Sequence, residues 1–318
     1  MASQGEKWQV NPLILKELIK GGYSLEGNVK FWNIADSKLW YLTPEQAEAY
    51  LNMEKSERIQ KNFIKTELKL IEKNIKDISE LIKNKNINII DLGCGNGKKA
   101  AVLIKNLKDF NIRYCPVDIN SNFIELAIEN AKKARPKEII KIKGVTAEFE
   151  NIERISEHVR NIIYPTNVFL LLGNTLENLE IHGTLFQIRR AMKEGDVLLI
   201  GDGLDNQNPE ELLNIYGSDK IKAFLDYIPK ELGFEEDEIE IKRRFRNSRV
   251  EIHYEIKVGR IIDARDRIIE LNKGDNLLVF FSYKYNKDDL RSILKMYFSD
   301  VNAYISKDDS YTLVLCKK

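Results

Sequence analysis

The segment Asp91-Leu92-Gly93-Cys94-Gly95-Asn96-Gly97 constrains this chain more than any other. It joins a short apolar strand, Ile87 to Ile90, to a helix carrying Ala100, Ala101, Leu103, Ile104 and Leu107. Its three alternating glycines allow a sharp turn and a close approach of backbone to ligand. The strand–helix alternation then repeats. Ile112 to Val117 predicts a second strand that ends at Asp118, and Asn120 or Ser121 caps a helix with Phe123, Ile124, Ala127, Ile128 and Ala131. Ile139 to Ile142, Val168 to Leu172 and Val197 to Ile200 predict three further strands, with a helix at 183–193 before the last. Val168 to Leu172 is apolar throughout, as a strand covered on both faces requires. Such alternation implies a parallel sheet with right-handed crossovers.

The flanking regions differ. Residues 1–60 are mostly polar, interrupted by Trp32, Trp40, Tyr41 and Tyr50, and Thr43-Pro44-Glu45 has the form of a helix start. Ile64, Leu68, Ile71, Ile75, Ile78 and Ile82 form one apolar stripe, predicting an amphipathic helix over 63–83. Beyond the fifth strand, 207–233 has a helical pattern. Ile239 to Ile241, Val250 to Ile256, Ile268 to Leu271 and Leu277 to Phe281 predict strands. A helix at about 286–298 and a hairpin of Val301 to Ile305 with Tyr311 to Cys316 close the chain. Five α/β strands and the terminal hairpin make seven. The expected fold is therefore α/β, a Rossmann-like seven-stranded sheet of the class I methyltransferase type with an inserted α+β substrate-binding domain. The expected domains are 1–203 plus 279–318 for the Rossmann-like part and 204–278 for the insertion. The N-terminal helical part, 1–85, is a candidate contributor to the substrate pocket.

The glycine loop points to a cofactor. Asp118 lies 25 residues beyond Gly93, where a ribose-binding carboxylate belongs. Two features separate S-adenosyl-L-methionine from a dinucleotide. Lys98 stands where the dinucleotide fingerprint needs glycine or alanine, and Asp91 at the loop entry repels a pyrophosphate but suits a sulfonium and an ammonium group. Val145-Thr146-Ala147-Glu148-Phe149 places an acid and an aromatic, Glu148 and Phe149, where an adenine amine and ring face are met. The cofactor-binding candidates are Asp91, Gly93, Cys94, Gly95, Gly97, Asp118, Glu148, Phe149 and Gly173.

Composition narrows the partners. Lys plus Arg number 50 and Asp plus Glu 49, so no whole-chain field draws nucleic acid or an acidic membrane. Three scattered histidines and three cysteines without paired spacing give neither a disulfide framework nor a metal site. With no apolar run of membrane-spanning length, a cytoplasmic location is expected.

Several segments together resemble the histidine-specific Nα-methyltransferases of the ergothioneine route. Besides the glycine loop, these are Tyr114-Cys115-Pro116-Val117-Asp118, Leu172-Gly173-Asn174-Thr175-Leu176-Glu177-Asn178 and Gly195 to Gly201 with Leu212 to Tyr216. Arg249 to Tyr254 and Ser282-Tyr283-Lys284-Tyr285 complete the set. The resemblance implies that Asn178 and Tyr216 hold a substrate carboxylate, as neutral donors can. It also implies departures. Phe280 replaces the glutamate that reads the imidazole, two residues before Ser282; Ile252 replaces a methionine; Glu177 replaces a glycine. The segment that supplies an aromatic to the family's pocket aligns around Asn62 to Glu67. A site that has lost the acceptor for an N–H loses its selectivity for that group.

The expected activity is N-methylation of the amine of an amino acid or related small molecule other than histidine. Substrate-binding candidates are Asn178, Tyr216, Ile252, Phe280 and Ser282. Such a displacement needs a neutral amine, with Glu177 or Ser282 as candidates for helping remove its proton. Two alternatives stay open: a protein or peptide methyltransferase, with the basic cluster Lys242, Arg243, Arg244, Arg246 and Arg249 facing an acidic partner, and a non-catalytic homologue that binds the cofactor only. The cluster can equally be a solvated strand face that balances the acidic run Glu235 to Glu238. A nucleic-acid substrate is not expected, because Leu172-Gly173-Asn174-Thr175 stands where base-amine methyltransferases carry an Asp/Asn-Pro-Pro-aromatic motif.

Overall fold

The computed structural model describes residues 10–135, 144–146, 151–205, 208–264 and 267–318, with 58, 61 and 62 described by backbone alone. In chain order the strands are β1 (Tyr23–Glu26), β2 (Val29–Asn33), β3 (Asn86–Leu92), β4 (Asn111–Asp118), β5 (Val145–Thr146), β6 (Thr166–Leu171) and β7 (Val197–Gly203). They continue with β8 (Ile239–Arg246), β9 (Arg249–Ile256), β10 (Arg260–Asp263), β11 (Ile268–Leu271), β12 (Asn276–Tyr283), β13 (Asp300–Ile305) and β14 (Tyr311–Lys317). The chain divides into two compact units, 1–53 with 209–283 and 54–208 with 284–318.

The larger unit is a seven-stranded sheet in the order β13-β14-β7-β6-β3-β4-β5. β3, β4, β5, β6 and β7 run parallel, and β14 is antiparallel to both β7 and β13. Chain order reverses at β3, which pairs with β4 on one side and β6 on the other. Loops leaving the carboxyl ends of β3 and β6 therefore diverge there. Apolar residues alternate onto two covered faces. Ile87, Ile89, Val168, Leu170, Leu199 and Leu313 pack with Leu70, Ile71, Leu103 and Ala127 on one. Ile90, Leu92, Phe169, Leu171, Leu198 and Val314 pack with Ile155, Leu185, Ile188 and Leu290 on the other.

The smaller unit is a five-stranded sheet, β1-β2-β12-β9-β8, with a separate β10-β11 hairpin. Sequence alone groups residues 1–53 with the parallel sheet; the structure groups them with 209–283, because β2 pairs in parallel with β12. Trp40 fixes the connection from inside. It is fully buried, its indole N–H donates to the Val279 carbonyl at 2.8 Å, and its ring lies 4.6 Å from Phe280.

Three local departures have physical causes. The stripe over 63–83 is split into Lys65–Lys73 and Ile75–Leu81. Asn74 breaks it, turning its side-chain amide onto the Leu70 carbonyl at 2.8 Å and competing with the helix for that acceptor. The hairpin β1-β2 and strand β10 were not predicted; Tyr23, Leu25 and Ile261 are exposed apolar residues there and blur the alternation that marks a half-buried strand. The strand expected at Ile139 to Ile142 lies outside the described residues, and β5 at Val145–Thr146 is the described partner of β4.

Replacing Trp40 by alanine removes a buried indole and its hydrogen bond. It is expected to destabilise the protein by about 3–5 kcal/mol in urea denaturation.

Candidate functional site

The loop after β3 is built on left-handed glycines: Gly93, Gly95 and Gly97 have φ of 66°, 50° and 67°. Gly93 and Cys94 both donate their backbone N–H to the Val117 carbonyl, at 2.9 and 3.1 Å, which anchors the loop to the end of β4. Gly95 donates to Asp118 Oδ2 at 3.1 Å and Asn120 donates to Oδ1 at 3.0 Å, so both oxygens of this buried carboxylate are aimed by backbone. Nothing lies within 4 Å of where a Gly95 Cβ would sit, so its backbone can be approached. Gly97 has the opposite constraint: a Cβ there would come within 2.5 Å of Ala127 Cα, against the helix Ser121–Ala134. Asp118, Gly93, Cys94, Gly95 and Gly97 are thus gathered in one place. Glu148 and Phe149 lie outside the described residues.

Charges behind the loop are arranged in a chain. Asp91 is buried and accepts the Tyr114 hydroxyl at 2.6 Å. Burial raises its carboxyl to about 6, with Tyr114 and Lys99 opposing the rise. Burial alone would lower the Lys99 ammonium, but Glu54, Glu67 and Asp91 hold it above its ordinary value. Asn96 of the loop donates to Glu54 at 2.6 Å. Glu67 is fully buried, which pushes its carboxyl up, and its Oε1 accepts the Gly173 N–H at 2.9 Å. Sequence reasoning missed Lys99, Glu54 and Glu67. The available signals were a lysine one residue past the loop's trailing Lys98 and a glutamate within one turn of the apolar stripe.

Gly173 follows β6 with φ of 77°, and a Cβ on it would meet Lys99 Nζ at 2.4 Å. Glu177, in the single turn Leu176–Asn178, is buried and ion-paired to the equally buried Lys284, and it accepts the Gly203 N–H at 3.2 Å. As a candidate proton acceptor it is already engaged. The Asn178 side-chain amide donates to the Asn174 carbonyl at 3.3 Å, and its Oδ1 is buried without a partner.

In the smaller unit, Tyr216, Ile252, Phe280 and Ser282 come together. Phe280 stands opposite Ile252 in the β12-β9 register. The Tyr216 hydroxyl donates to Ser282 Oγ at 2.9 Å, and its ring centroid lies 5.6 Å from that of Phe280. Phe280 is packed between Trp40 and Tyr216 and offers no acceptor. The basic cluster is compensated internally: Arg244 and Arg246 pair with Glu26, Arg244 and Arg249 with Glu251, and Lys242 with Glu240 and Glu255. Among the described residues no group of three His, Cys, Asp or Glu side chains is placed to hold a metal ion, and no helix is long and apolar enough to cross a membrane.

A family model described as histidine-specific methyltransferase, SAM-dependent, matches residues 62–318. Comparison with curated proteins gives no match. Among solved structures the chain is similar to a protein from Pyrococcus horikoshii OT3, at 15% identity and a TM-score of 0.43 over 84% of this chain and 97% of that one. A putative methyltransferase from Thermobifida fusca YX gives 12% identity and 0.44 over 88% and 96%. The plantazolicin methyltransferase in complex with SAH gives 17% and 0.39 over 65% and 77%.

The raised Asp91 carboxyl has a testable sign. The folded chain binds this proton more tightly than the unfolded chain, so the group's contribution is full at low pH and is lost as pH rises to about 6. Asp91→Asn removes that loss. Relative to the native protein, the variant is expected to gain stability between about pH 4 and pH 6, by up to about 3 kcal/mol, in pH-resolved urea denaturation.

Proposed function

Since the chain belongs to the SAM-dependent, histidine-specific methyltransferase family, we propose that it methylates the amine of an amino acid or related small molecule other than histidine. The observation that carries the reading is Phe280. Where the resemblance calls for a carboxylate to accept an imidazole N–H, this chain has a buried ring packed on Trp40 and Tyr216. A ring cannot accept that hydrogen bond, and an imidazole placed there loses its partner at a cost of about 1–3 kcal/mol.

S-adenosylmethionine, when bound, supplies a methyl group already activated by its sulfonium, so the chain's work is to position and desolvate. Asp118, with both oxygens aimed by backbone N–H groups, has lone pairs left for ribose hydroxyls. The open backbone at Gly95 admits the cofactor, and Asp91 offers a negative charge suited to its cationic end. Asn178 in the larger unit and, separately, Tyr216 in the smaller are neutral donors of the kind that orients a carboxylate. The acceptor amine reacts only when neutral. Glu177 is held by Lys284, and the Ser282 hydroxyl, which accepts from Tyr216, is the remaining candidate to relay the amine proton to solvent. The protein-substrate alternative loses its support, because four of the five cluster residues, Lys242, Arg244, Arg246 and Arg249, have acidic partners within the smaller unit.

Calorimetry tests the proposal. Protein saturated with S-adenosylhomocysteine is titrated with free amino acids, histidine included; one non-histidine amine is expected to bind tightest and to be methylated. Efficient turnover of histidine overturns the specificity. Asp118→Ala is expected to weaken cofactor binding roughly ten- to hundredfold.

A further inference from the structure

The last residues of β7 are Gly201, Asp202 and Gly203, and carboxylates crowd around them. A Cβ on Gly201 would lie 1.9 Å from Glu67 Oε1, and one on Gly203 would lie 2.7 Å from Glu177 Oε1, so the two glycines make the room these acids occupy. Asp202 itself is fully buried, and neither of its oxygens has a hydrogen-bond partner. Glu67 Oε2 and the side-chain carbonyls of Asn174 and Asn178 are likewise buried, with the buried Tyr311 hydroxyl beside Glu67 as a neighbouring donor. The backbone ties these groups together: Asn174 N–H donates to the Gly201 carbonyl at 3.1 Å, and Gly173 N–H to Glu67 at 2.9 Å. The amide oxygens and any ionised carboxylate oxygens among these are acceptors. Left unmade, buried hydrogen bonds of this kind cost about 1–3 kcal/mol apiece and more for a charged group. Lys284 is the ammonium beside Asp202, and it is bonded to Glu177.

Several buried acceptors around one carboxylate call for a ligand atom with several donors, and an ammonium carries three. We propose that Asp202, flanked by Glu67 and Glu177, is a cation subsite that receives a second, non-reacting ammonium of the methyl acceptor, so that the acceptor is a basic amino acid or a diamine. The inference rests on the amine methyltransferase reading. The reacting nitrogen does not fit this place, because carboxylates around an amine hold its proton and withhold the lone pair. Nor does the cofactor's cationic end. The charged neighbours of Asp202 are Glu177, Lys284 and Glu67, with none from the glycine loop. Burial, with Glu177 adding to it and Lys284 opposing, pushes the Asp202 carboxyl well up. A cation entering there opposes that rise and favours release of the proton.

The experiment compares L-lysine and L-ornithine with L-norleucine, which has the aliphatic chain without the second ammonium, on protein saturated with S-adenosylhomocysteine. Titrations in two buffers of different ionisation enthalpy count released protons. Lysine or ornithine is expected to bind at least about tenfold tighter than norleucine with proton release, and Asp202→Asn is expected to erase both differences while cofactor affinity stays within about threefold. Equal binding of lysine and norleucine overturns the subsite. So does an Asp202→Asn variant that loses cofactor affinity instead, which assigns the cluster to the cofactor. If that variant does not fold, the comparison on native protein and the variant Glu67→Gln decide in its place. Methylation of some other amine without lysine selectivity sinks the subsite alone; absence of methylation on every amine sinks the reading beneath it.

Discussion

The pairing of β3 on both sides, with β4 and with β6, is what the glycine-loop end of the larger unit depends on. It places the glycine loop between the ends of two neighbouring strands, and Val117 at the end of β4 then captures two loop N–H groups. From that anchorage follow the aim of Gly95 onto Asp118 and the close seat of Gly97 against Ala127. The chemistry at this edge is one of position. Nothing in a sulfonium displacement requires a triad or a metal, and the side chains supply orientation and a dry, negatively charged surround.

That surround is held in place by a small number of cations. Lys99 lies among Glu54, Glu67 and Asp91, and Lys284 lies on Glu177. Lys99 opposes the rise that burial imposes on the Glu67 and Asp91 carboxyls. Asp202 has no such donor of its own, which sets it apart from the acids on either side. The smaller unit handles charge differently. Its arginines and lysines lie across strands from glutamates, with no buried acid left without a cation at Glu26, Glu251 or Glu255.

Much of this was legible in the sequence, for reasons that differ by element. The parallel strands are rich in apolar residues because both faces are covered, and the glycine loop and Asp118 stand at a spacing read directly from the sequence; both kinds of signal are local. The partnership of β2 with β12 is not local, and nothing in Val29–Asn33 names a partner beyond residue 270. Glu67 shows the same limit within a helix. It lies three residues after Ile64 and four before Ile71, so the helical pattern puts it at the edge of the apolar stripe but names no partner for it there. Only the β6 and β7 ends, arriving from elsewhere in the chain, turn it into a buried acceptor. Glu177 stood out in the sequence as a change from glycine. Its engagement by Lys284, 107 residues away, decides what that change means.

The parallel seam between β2 and β12 also sets the order in which the chain can be completed on a ribosome. Trp32 bonds to Asp275 across 243 residues of sequence. At about 5–20 residues per second, an N-terminal segment made early waits roughly 12–50 s before its partner strand is synthesised. During that interval the hairpin β1-β2 has one bare edge and the indoles of Trp32 and Trp40 have no core to enter. Within the smaller unit the first strand made therefore waits for the last, and nascent chains halted before β12 leave that hairpin without its partner.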